Sequence, residues 1–284
     1  MNISAHLNHI AFSHSIFSLP FSYMAAFLAA GGVPDLNTLF FITVAIIFAR
    51  AAAVSIDNIV DYEYDKKQAR LHNRALISGK LSKKAAKIAT VIYLAIFLAA
   101  VLQLPIICLK LLPLAVIPFI IYPYTKRITF LCHFVLGLAI AVAPAGAWIA
   151  VKGEFNLDEP ILVLCTAVAL WIGMFDAIYG AQDERFDAAN NLHSLATAFG
   201  AKTALKIAGF FHLISASLFV ALGFIMHLPW IYFIGAGAAG GVLNYQYSIV
   251  KYNDFSRVNQ RYFMRNGVVS IVMCLCTFLA VCLS

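Results

Sequence analysis

Nine runs of about 20 apolar residues, joined by short polar stretches, take up nearly all of this 284-residue chain. They lie at roughly 10–31, 36–58, 86–103, 105–122, 130–151, 160–180, 204–226, 229–250 and 266–283. A helix needs about 20 such residues to cross the hydrocarbon core of a bilayer. Inside lipid, only helices and closed barrels satisfy their own backbone. Hydrophobic residues make up 62% of the sequence and charged residues 12%. A soluble domain carries about a quarter charged residues, and a disordered chain needs low hydrophobicity, so both are excluded. The expected fold class is all-α: a polytopic integral membrane protein of about nine transmembrane helices, one domain over residues 1–284, with no space for a large soluble domain. Pro20 and Pro144 fall inside runs, where neighbouring groups can satisfy the freed carbonyls.

Of the 20 Lys and Arg, 17 sit in alternate loops: eight from Lys66 to Lys87, then Lys126 and Arg127, then Arg185, Lys202 and Lys206, and last Lys251, Arg257, Arg261 and Arg265. The positive-inside rule places these loops and the N-terminus in the cytoplasm. The net charge of +7 is then explained by orientation and by the lipid bilayer surface, with no nucleic acid as partner. No Lys or Arg precedes Arg50, so the first run lacks the charged start of a signal peptide and is expected to remain a span. The six Cys lie in apolar runs without metal-site spacing and read as packing residues. His14, beside Ser13 and Ser15, is expected to make a helix-packing hydrogen bond.

The acids are concentrated. Eight of 13 fall in two clusters, Asp57, Asp61, Glu63 and Asp65, and Asp176, Asp183, Glu184 and Asp187. Asp57, Asp61 and Asp65 recur every four residues, one stripe on a helix. Asp176, Tyr179, Asp183 and Asp187 form a second stripe, while Glu63 and Glu184 fall off the stripes and suit solvated positions. Like charges at this spacing repel, and carboxylates beside a bilayer are costly unless partnered, so the two stripes need cations between them. A solvated acidic loop edge explains one such cluster but not two, on stripes, at the same end of their spans. Oxygen-only ligands suit Mg2+, which takes a few carboxylates and fills its shell with water and substrate phosphates.

Two metal-holding stripes beside Lys and Arg, at the mouth of an apolar bundle, suggest a diphosphate ester with a greasy tail. Mg2+ neutralises the leaving group, and an intramembrane chamber shields a carbocation-like carbon from water. The competing class is a cation-coupled transporter of a small anionic solute, which needs ionisable residues at the bilayer midplane or paired broken helices; here the acids sit at span ends. A phospholipid head-group transferase needs a CDP-alcohol motif that neither cluster carries.

Asp57-Asn58-Ile59-Val60-Asp61-Tyr62-Glu63-Tyr64-Asp65 and Asp176-x-x-Tyr179-Gly180-x-x-Asp183-x-x-x-Asp187 resemble the two motifs of the UbiA superfamily of membrane prenyltransferases. Asn73 to Gly79, Tyr122 to Arg127, Leu192-His193-Ser194 and Asn266 add to the likeness, which covers the whole chain and looks closest to the 4-hydroxybenzoate polyprenyltransferase branch. Two departures are the inverted order at positions 57–58 and Tyr62, where that branch often has Arg. The resemblance implies nine helices around a central chamber in a bacterial cytoplasmic membrane. It implies transfer of a polyprenyl group from polyprenyl diphosphate to a ring carbon of an aromatic acid, 4-hydroxybenzoate or a naphthoate. Asp57 or Asn58, with Asp61 and Asp65, would hold one Mg2+, and Asp183 and Asp187 the other. Arg70, Arg74, Lys126 and Arg127 would face the diphosphate, with Arg127 also a candidate for the aromatic carboxylate. Asp176, with Tyr179 on its stripe, would orient the acceptor hydroxyl or take the ring proton. His193 would shape the loop after the second motif.

Overall fold

The computed structural model describes residues 3–250, 252, 254–256, 258 and 260–283, and every regular element among them is helical. A short helix α1 (Ile3–His9) and a 3-10 turn (Phe12–Phe17) precede α2 (Leu19–Ala30). α3 (Leu36–Val60) is started by Asp35, whose carboxylate accepts from Thr38 N at 2.9 Å, and one further turn, α4 (Tyr62–Asp65), follows it. Next come α5 (Lys83–Val101), α6 (Ile106–Thr125), α7 (Cys132–Lys152) and α8 (Glu159–Gly180). A 3-10 turn (Ala181–Asp183), α9 (Glu184–Ala189) and α10 (Leu195–Phe199) lead to α11 (Ala201–Ile225), α12 (Trp230–Ile249) and α13 (Gln260–Cys282).

Each of the nine apolar runs contains or overlaps one of the helices α2, α3, α5, α6, α7, α8, α11, α12 and α13. Among the described residues six helices, α3, α5, α6, α7, α11 and α8 with its continuation to Ala189, are long and apolar enough to cross a membrane. The first run departs from its expected single span over 10–31. Residues 12–17 form the 3-10 turn, and α2 starts only at Leu19 with 12 residues. Pro20 stands in the first turn of α2, where its missing N–H leaves no hydrogen bond unmade, whereas further inside a helix it would break one. The side chains of His14, Arg261 and Arg265, and all of Lys251 and Arg257, lie outside the described residues.

α8 is the central helix. It packs on α7 and α11, α3 packs on α5, and α12 on α13. Apolar lipid gives helices no hydrophobic reason to associate, so small residues that allow close approach decide the contacts. A Cβ on Gly137 of α7 would lie 2.1 Å from the Ala169 carbonyl oxygen, and one on Gly173 of α8 would lie 2.7 Å from that of His133. The core above this contact is aromatic: Phe21 stacks on Phe219 with centroids 5.5 Å apart and meets Trp171 edge-on at 5.3 Å. α6 is packed differently. It carries Pro113, Pro118 and Pro123 and buries only Pro123 and Thr125.

Candidate active site

α3 ends at Val60, and Asp61 turns the chain into α4. The i to i+4 ladder continues through the turn: Asp61 N donates to Asp57 O, and Asp65 N to Asp61 O, both at 2.9 Å. The first carboxylate stripe therefore survives the break. Asp61 is buried, with Lys126 Nζ 3.1 Å from Oδ2 and Arg127 Nη2 3.0 Å from Oδ1. Arg127 Nη2 also donates to Val60 O at 3.1 Å, and its guanidinium lies 5.1 and 5.3 Å from the Tyr64 and Tyr124 ring centroids. Asp65, also buried, pairs with Arg74 Nη1. The same nitrogen donates to Asn58 Oδ1 at 2.9 Å, and Asn58 Nδ2 donates to His9 O at 2.8 Å. Burial holds the Asp65 carboxyl above the usual range, against the opposing pull of Arg74.

The second stripe runs from α8 through the 3-10 turn into α9. Asp183 accepts from Arg70 through both oxygens, Nε to Oδ1 at 2.9 Å and Nη2 to Oδ2, the paired geometry that a guanidinium offers a carboxylate. The Arg70 guanidinium also lies 5.6 Å from the Tyr179 ring centroid. Asp187 is buried.

The two motifs meet. Arg70, from the loop after the first, holds Asp183 of the second. Lys67 Nζ donates to Asn190 Oδ1 at 3.5 Å. The backbone His193 N donates to Lys126 O at 2.6 Å, which ties the loop after the second motif to the end of α6. Burial would push the Lys126 ammonium down, but Asp61, Asp57 and Asp187 outweigh it and hold it above the usual lysine range. The Lys126 ammonium pairs with Asp61 of the first stripe. Glu63 stands off the stripe and is exposed, with Lys83 Nζ at 3.1 Å.

The cations that the stripes require are, in this structure, Lys126, Arg127, Arg70 and Arg74. Among the described residues no three His, Cys, Asp or Glu converge as a ready metal cluster. The donor set nevertheless fits a hard divalent ion: the stripes supply carboxylate oxygens and neither Cys nor His.

Beside the stripes lies a cavity of about 630 Å3 bounded by α3, α5, α6, α7 and α8. Its wall is mostly apolar (Ile46, Phe119 and Phe175 among others), with Ser18, Arg50, Asp57, Tyr122 and Asp176 as polar exceptions. Asp57 therefore faces the cavity, whereas both polar ends of Asn58 are taken up by His9 and Arg74. Asp176 Oδ2 accepts from His133 Nδ1 at 2.7 Å. Two further groups escape the motif spacing. Arg50 lines the cavity on α3, and its Nε has no hydrogen-bond partner. A single Arg inside an apolar run is itself a signal of function, so Arg50 could have been found in the sequence. His133 could not, because only the packing of α7 on α8 brings it to Asp176.

Comparison with known proteins agrees with this geometry. The profile of the UbiA prenyltransferase family matches residues 18–268. A 4-hydroxybenzoate octaprenyltransferase of Aliivibrio salmonicida is 34% identical over 80% of this chain and 79% of its own. The Vibrio cholerae protein of that name is 30% identical over 86% and 85%. The apo structure of a UbiA homologue from Aeropyrum pernix superposes with a TM-score of 0.84 at 27% identity, covering 94% of this chain and 97% of that one. A UbiA homologue from Archaeoglobus fulgidus, solved bound to DMAPP and Mg2+, shares the fold with a TM-score of 0.69 at 17% identity, covering 98% and 99%.

Proposed function

The chain belongs to the UbiA prenyltransferase family, and from that premise we propose that it transfers a polyprenyl group from its diphosphate to a ring carbon of a hydroxylated aromatic acid. The acceptor is 4-hydroxybenzoate, as in the names of the relatives, or a dihydroxynaphthoate. The reaction runs at the cytoplasmic face of a bacterial inner membrane, in one domain over residues 1–284. The observation that carries this reading is the meeting of two carboxylate stripes through the Arg70–Asp183 pair beside an apolar cavity that Asp57 and Asp176, one from each stripe, line.

Asp57, Asp61 and Asp65 on one side and Asp183 and Asp187 on the other would hold Mg2+. When bound, it neutralises the charge that builds on the departing diphosphate. Arg70 and Arg74 sit on the loop between α4 and α5, where they reach the diphosphate as well as their present aspartates. Lys126 supports the same charge from the end of α6. The cavity wall keeps water from the electrophilic carbon. Arg50 holds the acceptor's carboxylate, since a guanidinium in an apolar wall calls for an anion. It lies seven residues, about 10 Å along the helix, from Asp57, which leaves space for the ring between the two. Asp176 and Tyr179 stand at the ring's reacting side.

The test is product formation in membranes containing the protein, from labelled polyprenyl diphosphate and each aromatic acid. Prenylated acid should appear, vanish in EDTA and return with Mg2+. Full turnover in EDTA, or solute uptake into proteoliposomes without any prenylated product, would overturn the reading. In Arg50→Ala the KM for the acid should rise at least tenfold, with that for the donor unchanged.

A further inference from the structure

His133 is buried in the first turn of α7. Its Nδ1 is 2.7 Å from Asp176 Oδ2, and its Nε2 is buried with no hydrogen-bond partner. α8 is cut to receive it. Gly173 and Gly180 flank Asp176 by three and four residues, the helical spacing of one face. A Cβ on Gly173 would meet the His133 carbonyl oxygen at 2.7 Å, and one on Gly180 would lie 3.4 Å from the imidazole Cε1. The missing side chains let α7 come close to α8 at His133 and leave space beside the imidazole, which commits one nitrogen to the Asp176 carboxylate and keeps the other buried. A carboxylate acceptor requires that Nδ1 carry the hydrogen. That bond occupies Oδ2 and leaves Oδ1 for the cavity that Asp176 lines.

Resting on the prenyl-transfer reading above, we propose that His133 is the positioning residue of the proton-removal step. Its Nδ1–H fixes the Asp176 carboxylate in rotamer and in the ionised state, so that Oδ1 takes the hydrogen of the substituted ring carbon. The step balances. The donor's C–O bond breaks with its electron pair leaving on the diphosphate, and a ring carbon forms the new C–C bond. The ring C–H then breaks, returning its electrons to the ring and its proton to Asp176, which passes it to the departing diphosphate or to water. His133 keeps its own hydrogen throughout, so no oxidant or further reactant enters. A charge-bearing acceptor held by a hydrogen-bonded partner in a dry site needs no reorganisation when the proton arrives. A loose carboxylate must find its rotamer and its ionised form first.

The experiment compares His133→Phe, which fills the seat without a donor, with His133→Asn, whose amide nitrogen can occupy the Nδ1 place. Both are assayed as full-length protein in membranes, with ordinary acceptor and with acceptor deuterated at the reacting ring carbon. His133→Phe should lose at least tenfold in kcat, keep the donor KM within twofold, and gain a ring-deuterium isotope effect above that of wild type, because proton removal becomes slow. His133→Asn should recover most of the rate and lose the added isotope effect. Wild-type kinetics in His133→Phe would overturn the proposal. So would equal losses in both variants without a change in isotope effect, the outcome for a residue that only packs. Wild-type membranes yielding no prenylated acid would instead sink the underlying prenyl-transfer reading, a result told apart because it precedes any variant.

Discussion

At Asp61 two cations converge on one buried carboxylate, and the sequence alone left one of them, Arg127, with two destinations: phosphate or the aromatic carboxylate. In the structure Arg127 is held on Asp61 and on the Val60 carbonyl oxygen. Its energetics are those of a charge pair in a partly dry site, where removing one partner leaves the other uncompensated. Asp61→Ala should therefore lower kcat a hundredfold or more, about 2.7 kcal/mol of barrier at about 1.4 kcal/mol per decade, because it removes the carboxylate proposed above to hold Mg2+ and strands Lys126 and Arg127 together. Arg127→Ala should reduce kcat/KM for the prenyl donor and leave the acceptor KM within twofold. Steady-state kinetics with each substrate varied in turn separate the two, and a rise in acceptor KM alone would move Arg127 to the aromatic site. Lys83→Ala is the control. Its partner Glu63 is exposed, exposed pairs contribute little, and activity should not change.

At the scale of elements, what the sequence revealed was periodic and what it hid was contact. The stripes were legible because i to i+4 spacing is local, and it persists across the turn at Asp61. The 3-10 turn at Ala181–Asp183 and the division of the first apolar run left no trace in apolar periodicity. The docking of α1 was hidden for the same reason. His9 Nε2 is 2.7 Å from Ser55 Oγ, which is 2.7 Å from Thr90 Oγ1. Thr90 gives its hydrogen to Ala86 O at 2.9 Å, so Ser55 donates to Thr90 and His9 donates to Ser55, which fixes the neutral tautomer as Nε2–H. Burial, then the nearby His6 and Arg74 charges, push the His9 pKa down from 6.5 to about 4. The docked helix thus binds fewer protons than a freed one between those values. Its docking is at full strength above about 6.5 and is lost as pH falls through that window. Amide exchange of residues 3–9, corrected for intrinsic rates, should show protection at pH 7.5 that falls by pH 5, and His9→Asn should flatten the difference. Equal protection at both pH values in the wild type would remove His9 as the latch. Because the His9 carbonyl also holds Asn58, and Asn58 holds Arg74, release of α1 reaches the first motif.

For the molecule as a whole, composition and run length were enough to give an all-helical membrane protein, since both follow from the solvent that the chain must face. Which helices would leave a cavity between them was not legible, because this is decided by small residues such as Gly137 and Gly173, whose effect depends on what lies opposite. The cavity raises a selection problem that hydrophobicity does not solve. A polyprenyl tail arriving from lipid is already in an apolar medium, so entering an apolar cavity gains it little. Donor affinity then concentrates at the charged head, and tail length is decided by steric fit. Gly146 is the place to test this. It lines the cavity, a Cβ built on it would meet no atom within 4 Å, and it stands 13 residues along α7 from His133, about 20 Å. Gly146→Phe should raise the KM for a long polyprenyl diphosphate at least tenfold and leave that for geranyl diphosphate within twofold, with product tail lengths read by mass spectrometry. A uniform loss for both donors would show that the ring disturbs the head-group end instead. An unchanged profile would mean that long tails leave the cavity before reaching Gly146, through the loosely packed side that α6 presents to the bilayer.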